Sequence, residues 1–306
     1  MNYFIAVTDN RWYDFLSRQQ PDELNFWRPS GKTFKSIEIG QPFLFKLHSP
    51  LNFIVGGGYY IRSERLPLSL AWEAFLEKNG TPSLAEFRRS ICSYRKTFEF
   101  DPEIGCTVLN APFFFPRESW IPVPASWSKN IVTGKTFDTS SIEGQALWNE
   151  VSERLHEGTA PGRIREGKRP WERRFGKDYL TRSRLGQGAF RLLVTSAYQR
   201  RCAVTGEKTL PALEAAHIRP FNEEGPNRIS NGLLLRSDLH RLFDQGYMTI
   251  TPDHKILVSK KIREEFENGR DYYALKDRRL LILPSDPEDY PEREYLAWHN
   301  DNRYRG

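Results

Sequence analysis

The chain has 306 residues, of which 39% are hydrophobic and 27% charged, with a formal net charge of +6; at roughly 150 residues per domain this predicts two domains. Its three cysteines, Cys92, Cys106 and Cys202, form no C-x-x-C pair, which excludes a disulfide framework and a cysteine zinc site and predicts a reduced, cytoplasmic setting. No apolar run reaches the roughly 18 residues that cross a bilayer, and residues 1–9 lack a charged segment followed by an apolar core, so a soluble protein with no membrane partner is expected.

In chain order, residues 1–127 read as a small mixed domain rich in short strands. Strands are predicted over residues 3–7, 42–48 and 53–61; the third contains Gly56-Gly57-Gly58, which signals a bulge or a close backbone approach. Helices are predicted over residues 69–78, ended by Asn79-Gly80, and 83–94, where Ser83 is the N-cap and Glu86 stands three residues on. An irregular apolar segment over 112–120 and a proline-punctuated stretch over 122–128 close this domain. Residues 128–182 read as a linker, with a helix over 143–156 and then a basic connector.

The charge is local. Between Arg163 and Arg191 ten Lys or Arg stand against three acids, leaving the remainder of the chain near neutral. Lys and Arg gain affinity for a polyanion by displacing counterions from phosphates, and this predicts a backbone track through Arg173, Arg174, Lys177, Arg184, Gln187 and Arg191, with Arg219 and Arg241 further on. The competing expectation is a solvated linker.

Residues 183–306 form the second predicted domain. A helix runs through Tyr198, followed by a strand over 211–218, a turn-rich loop over 222–230 and a second strand over 232–236. A short helix over 238–245 is capped by Ser237 and ended by Gly246. The expected product is a β-β-α unit. It carries His217 on its first strand, Asn231 at the head of its second and His240 in the first helical turn, where backbone amides and the helix dipole favour a phosphate.

Hydrolysis of a phosphodiester needs a base to activate water, a cation to offset developing charge, and a group that holds the base in place. His217 is assigned as general base and His240 as metal ligand. Asn231 is assigned to fixing the loop or the imidazole. Glu214 is the nearest acid to complete the metal site.

The segments Cys202-Ala203-Val204-Thr205-Gly206, Glu214-Ala215-Ala216-His217-Ile218-Arg219-Pro220, Asn231-Gly232-Leu233-Leu234-Leu235 and Asp238-Leu239-His240-Arg241-Leu242-Phe243-Asp244 resemble the HNH (ββα-metal) endonuclease signature. Asn231 follows His217 by fourteen positions and His240 follows Asn231 by nine, as in that family. The resemblance covers residues 183–260 and implies a divalent cofactor, Mg2+ first, with Mn2+, Ni2+ or Co2+ as alternatives. In many HNH nucleases an acidic ligand immediately precedes the base, where this chain has Ala216. Glu214 shares a strand face with Ala216 by two-residue alternation and is expected to substitute through its longer side chain.

In the N-terminal half, Phe26-Trp27-Arg28-Pro29-Ser30, residues 40–47, residues 54–60 and Leu70-Ala71-Trp72-Glu73-Ala74-Phe75 resemble an EVE domain of the PUA superfamily. That resemblance implies an α+β protein: an N-terminal mixed β-barrel with helices, a linker helix and a C-terminal HNH domain. Fused to HNH, such a domain is similar to modification-dependent restriction endonucleases, implying double-stranded DNA carrying 5-methylcytosine or 5-hydroxymethylcytosine as partner.

A base taken out of the stack needs aromatic faces and polar partners. Trp27, Tyr59 and Tyr60 are the aromatic candidates, with Arg28, Ser30, Lys46 and His48 as polar ones. Two alternatives stay open: an HNH nuclease whose first domain binds RNA or unmodified DNA, and a non-catalytic DNA-binding protein. One ββα site cuts one strand, so a double-strand break implies a homodimer or two encounters.

Overall fold

The structure, a computed structural model, describes residues 1–157 and 185–306, so Arg173, Arg174, Lys177 and Arg184 lie outside the described residues. The chain divides into two compact units, Met1–Ala189 and Phe190–Gly306.

The first unit is built on a seven-stranded sheet of β1 (Asn2–Thr8), β2 (Glu23–Arg28), β3 (Pro42–Leu47), β4 (Phe53–Pro67), β5 (Glu103–Phe114), β6 (Ile121–Pro122) and β7 (Gly134–Asp138). The strands run in the order β2-β5-β4-β3-β1-β7, and β6 pairs with β4. Strands β1 and β3 are parallel; β1–β7, β3–β4 and β4–β5 are antiparallel. Continuous apolar runs such as Tyr3-Phe4-Ile5-Ala6 mark a strand buried on both faces, and alternation sends successive side chains to opposite cores. Phe4 and Ala6 join Phe43 and Phe45 on one face, while Tyr3 and Ile5 join Leu44 on the other. Each fully buried side chain of this size contributes roughly 1.5–3 kcal/mol.

A helix covers each face. α1 (Asn10–Gln19) buries Trp12, Tyr13 and Leu16, and Asp9 caps it by accepting from the Arg11 and Trp12 N–H groups. α4 (Ile142–Glu157) places Leu147, Trp148 and Val151 against Tyr3 and Phe137. Residues 134–138 and 142–157, read from sequence as linker, thus supply an edge strand and a covering helix of the first unit. Between them come α2 (Leu68–Phe75), whose last predicted turn is instead a 3-10 helix over Leu76–Asn79, and α3 (Leu84–Arg95), with Ser83 accepting from the Glu86 N–H. The three glycines in β4 coincide with a register shift between Gly57 and Tyr59.

At the end of the unit, buried Glu23 accepts from the Gly188 and Ala189 N–H groups at the start of α5 (Gln187–Ala197) and lies 3.3 Å from Lys78 Nζ. A Cβ at position 186 would stand 2.2 Å from the Glu23 carboxyl carbon, which is why glycine opens this segment.

In the second unit β8 (Leu213–His217) and β9 (Gly232–Arg236) pair antiparallel, with Ala216 opposite Leu233 and His217 opposite Gly232. β9 runs directly into α6 (Ser237–Asp244). This differs from the sequence expectation in two ways. The first strand starts at Leu213, because residues 210–212 form a 3-10 turn around Pro211, which has no N–H for a ladder. Ser237 is not the cap: it is the first helical residue, and its hydroxyl donates to the Ala212 carbonyl at 3.2 Å.

A hairpin of β10 (Met248–Ile250) and β11 (Ile256–Val258) follows, then α7 (Lys261–Phe266), α8 (Arg270–Tyr273) and α9 (Arg293–Asn302). One core joins Val194, Tyr198, Leu234, Phe243, Met248 and Leu296.

Candidate active site

His217 ends β8 with its imidazole held on two sides. The Phe190 ring stacks on it at 3.8 Å between centroids and 12° between planes. Its Nε2 lies 2.7 Å from Asn227 Oδ1. An amide oxygen only accepts, so this contact puts the proton on Nε2 and leaves the Nδ1 lone pair of the neutral ring to accept. Burial pushes the His217 pKa below its ordinary value, and the nearby His240 adds to this, against the Asn227 bond and Asp244. The ring is therefore an unprotonated base at neutral pH.

Asn231 does not touch that ring. It is fully buried. Its Oδ1 accepts from the Arg219 N–H at 2.9 Å, and its Nδ2 donates to the Arg219 and Pro226 carbonyls, each at 2.9 Å. Its carboxamide is thus spent on closing the loop between the strands, and of the two roles expected from sequence the geometry leaves fixing the loop. The loop is tight: a Cβ at Gly225 would stand 1.8 Å from the Arg219 carbonyl oxygen. Asn227, which fixes the imidazole, sits inside it.

Across the hairpin, Glu214 reaches α6: its Oε2 lies 2.6 Å from His240 Nδ1, and His240 Nε2 lies 3.3 Å from Asp244 Oδ2 one turn on. Among the described residues no three of His, Cys, Asp and Glu stand as a ready cation cage. The donor set still suits a hard divalent ion, since Mg2+ binds through one or two carboxylates and fills its remaining positions with water and substrate phosphate oxygens. Glu214 and His240 would hold it, with Asp244 beside them.

Of the phosphate-track candidates, Arg241 and Gln187 are exposed and Arg191 is half-buried. Arg219 donates to the Glu223 carbonyl at 2.6 Å and stands over the Trp298 ring at 5.6 Å.

Sequence reasoning missed three residues. Asn227 looks like any turn asparagine. Phe190 reaches His217 across 27 positions, and no local pattern reports such a stack. Asp244 was legible, since it lies four residues after His240 on one helix.

In the first unit a cavity of about 470 Å³ is lined by Trp27, Arg28, Ser30 and His48, together with Asp9 and Tyr94 among others. Trp27 is locked by its Nε1 bond to the Asn79 carbonyl at 2.9 Å and by edge contacts with Phe87 and Tyr94. The other three sequence candidates lie outside it. Tyr60 is core, donating to the Phe34 carbonyl at 3.1 Å. Tyr59 packs against Phe113. Lys46 is buried, its Nζ donates to Asn52 Oδ1 at 2.7 Å, and it stands over Trp127. The whole of β3 is buried, so alternation there separates two cores rather than core from solvent.

Residues 202–251 match the HNH_2 family model, described as an HNH endonuclease; the second unit contains an HNH endonuclease domain. No curated protein matches the chain. Among solved structures, the chain is similar to the ASCH protein of Zymomonas mobilis and to a point mutant of it, at 10% identity in both cases, over 48% of this chain and 94% and 96% of those chains, with TM-scores of 0.35 and 0.36. It is also similar to TagI, a modification-dependent restriction endonuclease, at 13% identity over 94% of this chain and 65% of that chain, with a TM-score of 0.29.

Proposed function

We propose that this protein is a modification-dependent DNA endonuclease. Its first unit binds 5-methylcytosine or 5-hydroxymethylcytosine, flipped out of double-stranded DNA, and its HNH domain hydrolyses a phosphodiester with a divalent ion. The observation that carries the nuclease reading is the desolvated, neutral His217, clamped by Phe190 and Asn227 in the same hairpin that brings Glu214 onto His240.

His217 Nδ1 takes the proton of the attacking water as its oxygen adds to phosphorus and the bond from phosphorus to the leaving oxygen breaks, the leaving oxygen taking a proton from water; the Nε2–H bond to Asn227 holds the ring in that tautomer. Asn231 keeps the loop that carries Asn227 in register. Glu214 and His240 would hold a divalent ion, Mg2+ first and Mn2+, Ni2+ or Co2+ as alternatives, which would supply charge neutralisation during phosphodiester hydrolysis. Arg241, Arg219, Arg191 and Gln187, with Arg173, Arg174, Lys177 and Arg184 of the basic run, are assigned to the phosphate backbone.

The reader assignment is supported by the cavity at Trp27, which joins aromatic faces to polar groups and falls within the volume range of small-molecule sites. The test is cleavage of one plasmid prepared with and without cytosine methylation, in Mg2+ and in EDTA. Cutting of the methylated plasmid alone, abolished by EDTA, is expected. Cutting of both would return the first unit to a binder of unmodified DNA or RNA, and cutting of neither would leave a non-catalytic binding module.

A further inference from the structure

The cavity at Trp27 holds an acid and a base that are not bonded to each other. Asp9 Oδ1 accepts from the Arg11 and Trp12 N–H groups, and its Oδ2 accepts from the Tyr94 hydroxyl at 2.6 Å. The carboxylate is therefore held in place, with one lone pair of Oδ2 to spare. Arg95, which also lines the cavity, has spent its guanidinium on the Pro29 and Glu103 carbonyls and on Glu99.

Arg28 has not. Its guanidinium stands 5.1 Å over the Phe34 ring, and among the described residues it has no hydrogen-bond or ion-pair partner. The guanidinium is half-buried and its unspent donors reach water, which a ligand's acceptors can displace. The lining of the cavity thus includes a fixed acceptor and a group with donors to spare.

We propose that Asp9 and Arg28 read the Watson–Crick edge of the flipped pyrimidine and select cytosine over thymine, an inference that rests on the reader assignment above. The edge of cytosine carries a donor, the N4 amino group, beside two acceptors, N3 and O2. Asp9 takes the amino hydrogen, and Arg28 donates to N3 and O2. Thymine turns an acceptor, O4, toward the carboxylate and an N3–H toward the guanidinium, so the Asp9 contact and the Arg28 contact at N3 become repulsive and only O2 still accepts. Recognition of the 5-substituent is left to the aromatic walls. The pair therefore discriminates the base and not its modification, and this separation is what an experiment can read.

Binding of the full chain is measured in EDTA to duplexes identical except at one position opposite guanine, which holds 5-methylcytosine, cytosine or thymine. Thymine bears the same methyl group as 5-methylcytosine, so the two differ only in their edges. A T·G mismatch also opens more readily than a paired base, which works against the expected result.

The wild-type protein is expected to favour 5-methylcytosine over thymine by about tenfold or more, the range of a good edge contact. Asp9→Asn, which still caps α1 because Asn caps as well as Asp, is expected to bring that ratio to within about threefold while leaving the ratio of 5-methylcytosine to cytosine unchanged. Arg28→Met is expected to do the same. A loss of both ratios together would mean a merely structural role for the pair and would overturn the proposal. So would a wild-type methyl preference combined with equal binding of the T·G duplex, or ratios unaltered in both variants. Equal wild-type binding of methylated and unmodified cytosine would instead sink the reader assignment itself.

Discussion

Nε2 of His217 and Oδ1 of Asn227 lie 2.7 Å apart, and this contact decides which imidazole nitrogen is free to act as a base. Asn227→Ala frees the ring to adopt the other tautomer and removes its in-plane restraint. Cleavage is expected to fall by about 10- to 100-fold, the usual effect of losing a group that orients a reacting histidine. DNA affinity should stay within about twofold. Single-turnover rates beside binding isotherms check this, and a variant that cuts at the wild-type rate would remove Asn227 from the mechanism.

Glu214 approaches His240 to 2.6 Å and is proposed to take the place of the acid that many HNH nucleases carry at the position of Ala216. Glu214→Gln is expected to raise the Mg2+ concentration for half-maximal cleavage by about tenfold or more, because a neutral amide is a poor ligand for a hard cation. Asp244→Asn is expected to have a smaller effect in the same direction. A metal titration of cleavage measures both, and an unchanged midpoint in Glu214→Gln would exclude it as a ligand.

Asn231→Ala orphans the Arg219 N–H and the Arg219 carbonyl together, whereas the Pro226 carbonyl keeps the Arg228 N–H. An unmet buried group costs roughly 1–3 kcal/mol, and these two are partly buried, so a loss of about 1–3 kcal/mol in stability is expected along with loss of cleavage. Urea denaturation of the variant provides the number. Full stability with abolished cleavage would instead mean that Asn231 touches the reacting atoms.

His299 gives the fold a dependence on pH. It is 2% exposed, stacks on Phe243, and bonds Thr249 Oγ1 and the Phe243 carbonyl. Burial lowers its pKa from 6.5 to about 4. The unfolded chain therefore binds a proton that the folded chain refuses. The contribution of His299 is fully present above pH 6.5 and is lost as pH falls from 6.5 toward 4, by about 3 kcal/mol in all. Replacing it, as in His299→Gln, is expected to flatten the slope of stability against pH between 6.5 and 5. Denaturation midpoints across that interval decide it, and an unchanged slope would contradict the assignment.

The ββα unit was legible because three polar residues at fixed separations are rare by chance and because apolar residues surround each. Much of the first sheet was not legible. β2 places Glu23 and Asn25 in buried positions, where Asn25 bonds Asn79 at 2.9 Å, so its alternation of apolar and polar residues does not mark core and solvent. β7 is five residues long and buries only one of them, and only its pairing with β1 makes it a strand. α1 did carry a signal, Asp9 followed by Trp12, Tyr13 and Leu16, that went unread. The base cavity was half legible: Trp27, Arg28 and Ser30 are consecutive or nearly so, whereas Asp9 and Tyr94 arrive from helices distant in sequence.

His217 is proposed to activate water in an HNH domain that cuts modified DNA. Single-turnover cleavage of a 5-methylcytosine duplex in Mg2+ by the wild-type protein and by His217→Ala, with binding measured on the same samples, tests it most directly. A rate at least about 100-fold lower in the variant is expected, with affinity within about twofold. A variant that cuts within tenfold of the wild type, or one that loses binding as fully as cleavage, would contradict it.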